Sequence, residues 1–147
     1  SDENKGQLLD GRADKLASAL NDALLTFVSV RDVAGKEPKE NYYHGMLNGI
    51  ILSASDMIRE HSSNTDSGDG YADITLCSAK LDVAVVIELK YAASRAELKD
   101  KAHEALRQII DKDYAEAVRD DCVKKIYGFG IAFFLRKCAV EVAELPL

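Results

Sequence analysis

The stretch Val83-Ala84-Val85-Val86-Ile87-Glu88-Leu89-Lys90 decides the fold, because it is a long apolar run that ends in two charged residues. A strand this apolar along its length is typical of a central strand that is covered on both faces. Side chains alternate along a strand, so Glu88 and Lys90 lie on the same face. Burying a charged group is costly unless the group is paired or binds a metal ion. The pattern therefore predicts one buried polar site at the end of this strand.

Asp73, which precedes Glu88 by fifteen residues, supplies a second acid to this site. It falls in a predicted strand from Tyr71 to Cys77, and a turn from Ala79 to Asp82 then leads into the apolar strand. We expect the two strands to be antiparallel neighbours, with Asp73 and Glu88 nearly opposite one another. Two carboxylates this close repel unless a proton or a cation lies between them. Oxygen ligands of this kind suit Mg²⁺ or Mn²⁺, and the backbone carbonyl of Leu89 is a further candidate ligand.

Two amphipathic helices are predicted in the first part of the chain. Apolar side chains recur at helical spacing from Gln7 to about Phe27 and from Pro38 to about His61. Glu40 falls within the apolar stripe of the second helix, near the positive end of the helix dipole. His44 lies one turn further on, where it could donate a hydrogen bond to Glu40 or pack into the core. Glu40 is therefore a candidate site residue, although a first-turn acid can also extend into water.

The remaining elements complete a mixed sheet. Gly68-Asp69-Gly70 predicts a tight turn that follows a short edge strand. A third helix is expected to begin at Ser94-x-x-Glu97, a capping-box pattern, and to end between Tyr114 and Arg119. Because this helix separates the third strand from the fourth, we expect a crossover and helices on both faces of the sheet. The last two predicted strands run from Lys125 to Leu135 and from Ala139 to Val142.

The composition is that of a single soluble domain. The chain has 147 residues, of which 47% are hydrophobic and 30% charged, enough for one core and unlike a disordered segment. No apolar run approaches the roughly 20 residues of a membrane span, and the polar start lacks a signal-peptide core. Three widely spaced cysteines, Cys77, Cys122 and Cys138, indicate reduced thiols and a cytoplasmic location.

The formal net charge of −6 counts against a domain that coats nucleic acid non-specifically. It does not exclude a metal site, since carboxylates that bind a divalent cation add negative charge locally. The chain has no GxxxxGK[ST] motif, so it is not itself a P-loop ATPase. If it acts on nucleic acid, we expect weak intrinsic affinity, or delivery of the substrate by another domain or subunit.

Several blocks of the chain, in order, resemble the PD-(D/E)XK nuclease superfamily, whose core is αβββαβ. The resemblance covers about residues 20 to 143 and is closest to a branch found behind an AAA-ATPase-like domain in bacterial proteins. It implies a restriction-endonuclease-like α/β fold with an extra N-terminal helix. The blocks are Glu40-Asn41-Tyr42-Tyr43-His44-Gly45, Ser63-Asn64, Ser67-Gly68-Asp69-Gly70-Tyr71-Ala72-Asp73-Ile74, Glu88-Leu89-Lys90, Glu104-Ala105-Leu106-Arg107-Gln108-Ile109 and Tyr127-Gly128-Phe129-Gly130-Ile131-Ala132-Phe133.

The resemblance implies a role for each candidate residue. Asp73 and Glu88 match the two metal-binding acids, and Lys90 matches the catalytic lysine. Glu40 matches the helix acid that can complete the metal shell, and Gln108 matches a polar residue that contacts the active site or the DNA in some members. The one departure is an alanine, at position 72, where the superfamily's name has proline, a position without a chemical role.

These features predict Mg²⁺- or Mn²⁺-dependent hydrolysis of nucleic acid, with DNA favoured over RNA. Residues 1–147 are expected to form one domain, excised from a longer ATPase-containing protein, with an N-terminal helix and connection over 1–36 and the core over 37–143. One alternative is a catalytically silent module that binds nucleic acid or couples an AAA-type ATPase to a partner. Another is a dimerisation domain, in which the apolar first helix pairs with a second copy of itself.

Overall fold

The computed structural model describes residues 10–27, 40–52, 58–63 and 72–147. Within these ranges, the side chains at 26, 27, 40, 41 and 59–61 lie outside the description. The helices and strands, in chain order, are α1 (Ala13–Phe27), α2 (Glu40–Leu52), β1 (Ile58–Ser63), β2 (Ile74–Ser78), β3 (Val83–Tyr91), α3 (Leu98–Asp111), β4 (Lys125–Phe134) and β5 (Lys137–Leu145). Two 3₁₀ turns, Arg95–Glu97 and Tyr114–Val118, flank α3.

The five strands form one mixed sheet in the order β1-β2-β3-β4-β5. Every neighbouring pair is antiparallel except β3 and β4, which are parallel. Parallel neighbours need a crossover connection, and α3 supplies it between β3 and β4. The order from α2 to β4 is the expected αβββαβ, with α1 before it and β5 after it. The predicted α/β fold with a mixed sheet is therefore confirmed.

The central strand β3 divides the core into two layers, because its side chains alternate between the two faces of the sheet. Val85, Ile87 and Leu89 pack in one cluster with side chains of α1 and α2. Ala84 and Val86 pack in a second cluster with side chains of α3. The helices therefore cover both faces, as the apolar sequence of β3 predicts. Residues of α1 buried in the first cluster are Leu16, Leu20 and Leu24.

The apolar stripe of α1 is thus part of this chain's own core. Leu16, Leu20 and Leu24 are at most 1% exposed, and Asn21 on the same helix hydrogen-bonds to the backbone of Cys138 in β5. These leucines are therefore not available to pair with a second copy, and a dimer that uses another surface stays a prediction. The helix also begins later than predicted, at Ala13, because Gly11 adopts a left-handed backbone with φ of 67°. Residues 7–9 lie outside the described residues.

The second and third helices differ from their predicted lengths. The predicted helix end at His61 is wrong, since α2 ends at Leu52 and Ile58–Ser63 is a strand. Apolar residues near position 58 recur at helical spacing, which led to the wrong prediction. Pairing with β2 determines the structure of this segment instead. The prediction that the third helix reaches residues 114–119 is also wrong. It ends at Asp111, and the left-handed backbone of Asp113, with φ of 49°, starts a separate 3₁₀ turn.

The strand predictions differ mainly at their ends. The predicted strand from Val83 to Tyr91 is confirmed, whereas β2 begins at Ile74, so that Asp73 lies in a bend just before the strand. An edge strand before β2 is confirmed, but it spans Ile58–Ser63, and the predicted turn at 68–70 lies outside the described residues. The final strand is longer than predicted, because its pairing with β4 continues to Leu145.

Close packing of α3 on β4 depends on Gly130. A Cβ added there would lie 2.2 Å from the carbonyl oxygen of Ala102 and 2.6 Å from the backbone nitrogen of Leu106. Both contacts are with helix backbone, which cannot move aside as a flexible side chain would. Gly130 pairs with Glu88 in the parallel register. The absence of a side chain at this position therefore lets α3 approach the sheet beside Glu88.

We predict that Gly130→Ala lowers the free energy of unfolding by about 2 kcal/mol or more, because the helix must shift away from the sheet. The matched control is Gly49→Ala on α2, where an added Cβ meets nothing within 4 Å. That variant should raise the free energy of unfolding by about 0.5–1 kcal/mol, through helix propensity. Chemical denaturation followed by circular dichroism measures both. Equal effects of the two substitutions would contradict the packing account.

Candidate active site

Glu88 is a buried acid in the middle of the sheet. It lies near the end of β3, on the face that α3 covers, and only 5% of its surface is exposed. In the antiparallel register of β2 and β3, Ile74 pairs with Ile87, so Asp73 comes opposite Glu88. The predicted juxtaposition of the two acids is therefore found, even though Asp73 precedes the strand rather than lying within it.

Asp73 is fixed by the backbone of β3. Its Oδ2 accepts a hydrogen bond of 2.8 Å from the backbone N–H of Leu89. The same bond ties Asp73 to the residue that follows Glu88, and it thereby fixes the spacing of the two acids.

The pKa of Glu88 records this arrangement. Burial, followed by the hydrogen bond and the negative charge of Asp73, raises the pKa of Glu88 from 4.5 to about 9, while the positive charge of Lys90 opposes the shift. Glu88 thus holds a proton at neutral pH when no cation is nearby. A carboxyl group in such surroundings is typical of a functional site, because a structural core gains nothing from it.

Gln108 links the acid to the lysine. Its Oε1 accepts a hydrogen bond of 2.7 Å from Lys90 Nζ, and its Nε2 donates one of 3.0 Å to Glu88 Oε2. The orientation of the amide is set by these partners, since an ammonium can only donate and so faces the amide oxygen. Gln108 lies on α3, which Gly130 allows close to the sheet. Four of the five predicted site residues, Asp73, Glu88, Lys90 and Gln108, are therefore brought together.

Tyr114 belongs to the same network and was not predicted as a site residue. Gln108 Nε2 donates a second hydrogen bond of 3.0 Å to the Tyr114 hydroxyl, and Tyr114 is 3% exposed. The left-handed backbone of Asp113 precedes the 3₁₀ turn in which Tyr114 is the first residue. The one sequence signal for this residue was a tyrosine that follows soon after the glutamine. It was not used, because the sequence pattern at Tyr114 predicted that the helix continues.

The fifth predicted site residue, Glu40, is the first residue of α2, and its side chain lies outside the described part of the structure. His44, one turn further on, is buried and hydrogen-bonds through Nε2 to Ser63 Oγ at 2.6 Å. His44 was expected either to donate a hydrogen bond to Glu40 or to pack into the core, and its burial agrees with the second alternative. The serine of β1 is the partner the structure gives it.

The oxygen donors at this site suit a hard divalent cation. Asp73 and the buried Glu88 present two carboxyl groups whose mutual repulsion a cation would relieve. Among the residues that the structure describes, no group of three or more His, Cys, Asp or Glu side chains is arranged to hold a metal ion. The described donors therefore fit part of a coordination shell, and the Glu40 side chain is not among them.

Comparison with known proteins agrees with this geometry. A family profile described as the PD-(D/E)XK nuclease superfamily matches residues 38–142. The chain belongs to the PD-(D/E)XK nuclease superfamily. The match spans every strand except the end of β5, together with α2 and α3. No curated protein matches this superfamily member. In the described parts of the chain, no helix has the length and apolar character needed to cross a membrane.

Superfamily membership accounts for the order of the site elements. Asp73 and Glu88-Leu89-Lys90, which match in sequence the acid and the acid-x-lysine of the superfamily's name, lie within the matched residues, and their roles stay a prediction. The family supports phosphodiester hydrolysis, generally with a divalent metal ion, as the coarse function of this fold.

We predict that Glu88→Gln stabilises the metal-free protein at alkaline pH. Because the folded-state pKa of Glu88 is raised, the stability it contributes is present below about pH 4.5 and is lost as pH rises toward about 9. The glutamine cannot ionise and so avoids this loss. At pH 8 its free energy of unfolding should exceed that of the wild type by about 1–3 kcal/mol. At pH 5 the two should be nearly equal.

Urea denaturation at both pH values, in the presence of a chelator, measures this difference. The control is Glu104→Gln. Glu104 is exposed on α3, and the hydrogen bond from Lys101 is the largest of the effects that lower its pKa. That substitution should not stabilise the protein at pH 8. A Glu88→Gln variant that is less stable than the wild type at pH 8 would refute the assignment of a strained buried acid.

Proposed function

We propose that this protein is a nuclease that hydrolyses phosphodiester bonds of DNA with Mg²⁺ or Mn²⁺. The observation that carries the proposal is the buried Glu88, which lies beside Asp73 and is linked through Gln108 to Lys90. Burying two carboxyl groups, an ammonium group and an amide in one network does not stabilise a protein core as apolar packing would. This set suits metal-dependent phosphodiester hydrolysis, which uses a cation site and a positioned proton donor or acceptor.

Asp73 and Glu88 would hold the cation, and Glu40 and the backbone carbonyl of Leu89 would complete the shell. When bound, a divalent cation stabilises charge on a scissile phosphate and lowers the pKa of a water molecule. Glu88 must lose its proton for this role, and two positive charges favour that loss, those of the cation and of Lys90. The Leu89 N–H keeps one oxygen of Asp73 in place, so this acid needs little reorganisation on binding.

Lys90 is proposed to act on the water nucleophile or on the phosphate. Its ammonium has three donors, and Gln108 occupies one of them, which leaves two for a water molecule or for phosphate oxygens. Gln108 therefore holds Nζ in one place and assists as a positioning residue. Tyr114, through its bond with Gln108 Nε2, fixes the amide in turn. In this account Lys90 orients or deprotonates the attacking water, or stabilises the charge that develops on the phosphate.

The substrate and partners are part of the same proposal. The net charge of −6 favours delivery of DNA by another domain, and an AAA-ATPase-like domain in the same full-length protein would provide it. A cytoplasmic location fits the odd number and wide spacing of the three cysteines. A homodimer would have to use a surface other than the leucine stripe of α1, since that stripe is buried.

The second candidate function is a catalytically silent module that binds nucleic acid or couples an ATPase to a partner. The acidic net charge favours it, because a free-standing nuclease gains from a basic surface that attracts its substrate. The two candidate functions differ in whether the residues of the buried network catalyse cleavage of a nucleic acid. An activity assay on matched lysine variants separates them.

We predict that Lys90→Ala lowers the rate of DNA cleavage at least 100-fold with Mn²⁺ present, because the variant lacks the group that acts on water or phosphate. The control is Lys99→Ala, which removes an equal charge from an exposed position on α3 and should retain wild-type activity. Cleavage of labelled single- and double-stranded DNA and RNA is followed on gels, at several concentrations of Mn²⁺ and Mg²⁺.

The two variants should be purified by the same procedure, so that a contaminating nuclease would contribute equally to the activity of both. Activity of Lys90→Ala equal to that of the wild type would eliminate the catalytic assignment. Binding of nucleic acid without cleavage by the wild type, on every substrate and with both metals, would favour the silent module.

A further inference from the structure

A second polar cluster, outside the network of Glu88, joins α2 to the end of β1. Ser63 Oγ lies 2.6 Å from Nε2 of His44 and accepts a hydrogen bond of 2.8 Å from Nδ2 of Asn48. The hydroxyl can accept from Asn48 and still exchange a second bond with His44, since it has one proton and two lone pairs. His44 and Asn48 are four residues apart on the helix, so they lie on one face and converge on the same oxygen.

The location of this cluster gives it a consequence for the active site. Ser63 is the last residue of β1 and pairs with Ile74, the first residue of β2. Asp73 immediately precedes Ile74 and is the residue whose carboxyl group reaches Leu89. The cluster therefore fastens α2 to the strand pair at the point where the chain leads into Asp73. Glu40, where α2 begins, is one turn from His44.

Apart from this cluster, few described side chains hold the C-terminal end of β1 in place. β1 is an edge strand that pairs with β2 alone. Ile58 at its start is buried, whereas Ser62 and Ser63 at its end are exposed. Apolar burial thus anchors one end of the strand, and polar contacts with α2 anchor the other. A buried histidine at this place is the main element of that anchor, because His44 is only 6% exposed.

We propose that the cluster of His44, Asn48 and Ser63 positions Asp73 for its role in the active site. The three are positioning residues, since they act on Asp73 through the pairing of Ser63 with Ile74. The inference rests on the proposed function in one respect, that Asp73 binds the cation. The positioning itself can be measured without metal, because the hydrogen bond from Leu89 N–H to Asp73 Oδ2 reports where the carboxyl group is.

The test compares Ser63→Ala with Asn21→Ala, two variants that should be destabilised to a similar extent. Ser63→Ala deletes one exposed oxygen and with it the bonds to His44 and Asn48. Asn21→Ala deletes two bonds between α1 and the backbone of Cys138, at the opposite edge of the sheet. Each should lower the free energy of unfolding through the loss of its bonds. Ser63→Ala alone should affect Asp73.

Amide hydrogen exchange of Leu89 by NMR, in the metal-free protein, is the deciding readout. The amide of Val86, on the same strand and fully buried, serves as the internal reference for global unfolding. In Ser63→Ala the protection of Leu89 should fall about tenfold relative to that of Val86, because the Asp73 carboxyl group no longer stays in place. In Asn21→Ala the ratio of the two should match the wild type. An unchanged ratio in Ser63→Ala overturns the proposal.

Calorimetric titration of Mn²⁺ into the same three proteins tests the link to the proposed function. Loss of a group that orients a metal ligand typically weakens metal affinity about 10–100-fold. We expect about a tenfold weaker affinity for Ser63→Ala and no change for Asn21→Ala. If the wild type itself fails to bind Mn²⁺, the proposed function fails, while the exchange ratio still decides whether the cluster positions Asp73. Wild-type affinity in Ser63→Ala would overturn its role in the metal site.

Discussion

The burial of the Glu88 carboxyl group beside that of Asp73 is the constraint on which the rest of this structure depends. Glu88 lies on a central strand that is otherwise apolar, and its burial raises its pKa to about 9. Such a group destabilises the metal-free fold at neutral pH and above, and the hydrogen bond from Gln108 and the positive charge of Lys90 offset this only in part. The arrangement is explained when the site takes up a cation, because the charge that is costly in the empty core is then neutralised.

The fold serves this pair in two ways. Gly130 removes the side chain that would hold α3 away from the sheet, so Gln108 can join Glu88 to Lys90. On the other side, Leu89 N–H fixes Asp73 at the point where β2 begins. The site is therefore built from backbone geometry as much as from charged side chains, and its residues come from the β2–β3 pair and from α3. Membership of the PD-(D/E)XK nuclease superfamily, shown over residues 38–142, supports phosphodiester hydrolysis as the coarse function of this fold.

Much of this could be predicted from the sequence, for physical reasons that also explain the failures. The strand Val83–Tyr91 was predicted correctly because a nearly continuous apolar run, interrupted only by charges on one face, has few other interpretations. The helix predicted through residue 61 failed because pairing with β2 turned Ile58–Ser63 into an edge strand, against its local pattern. Tyr114 was missed because its place in the site depends on the left-handed backbone of Asp113, which the spacing of residues does not reveal.

The most direct test of the central claim is calorimetric titration of Mn²⁺ into the wild type and Asp73→Ala at pH 7.5, in two buffers of different ionisation enthalpy. The account predicts that the wild type binds the metal and releases close to one proton, since Glu88 must ionise on binding. Asp73→Ala should not bind measurably. Absence of binding in the wild type, or equal affinity and proton release in the variant, would contradict the claim that the two acids form a cation site.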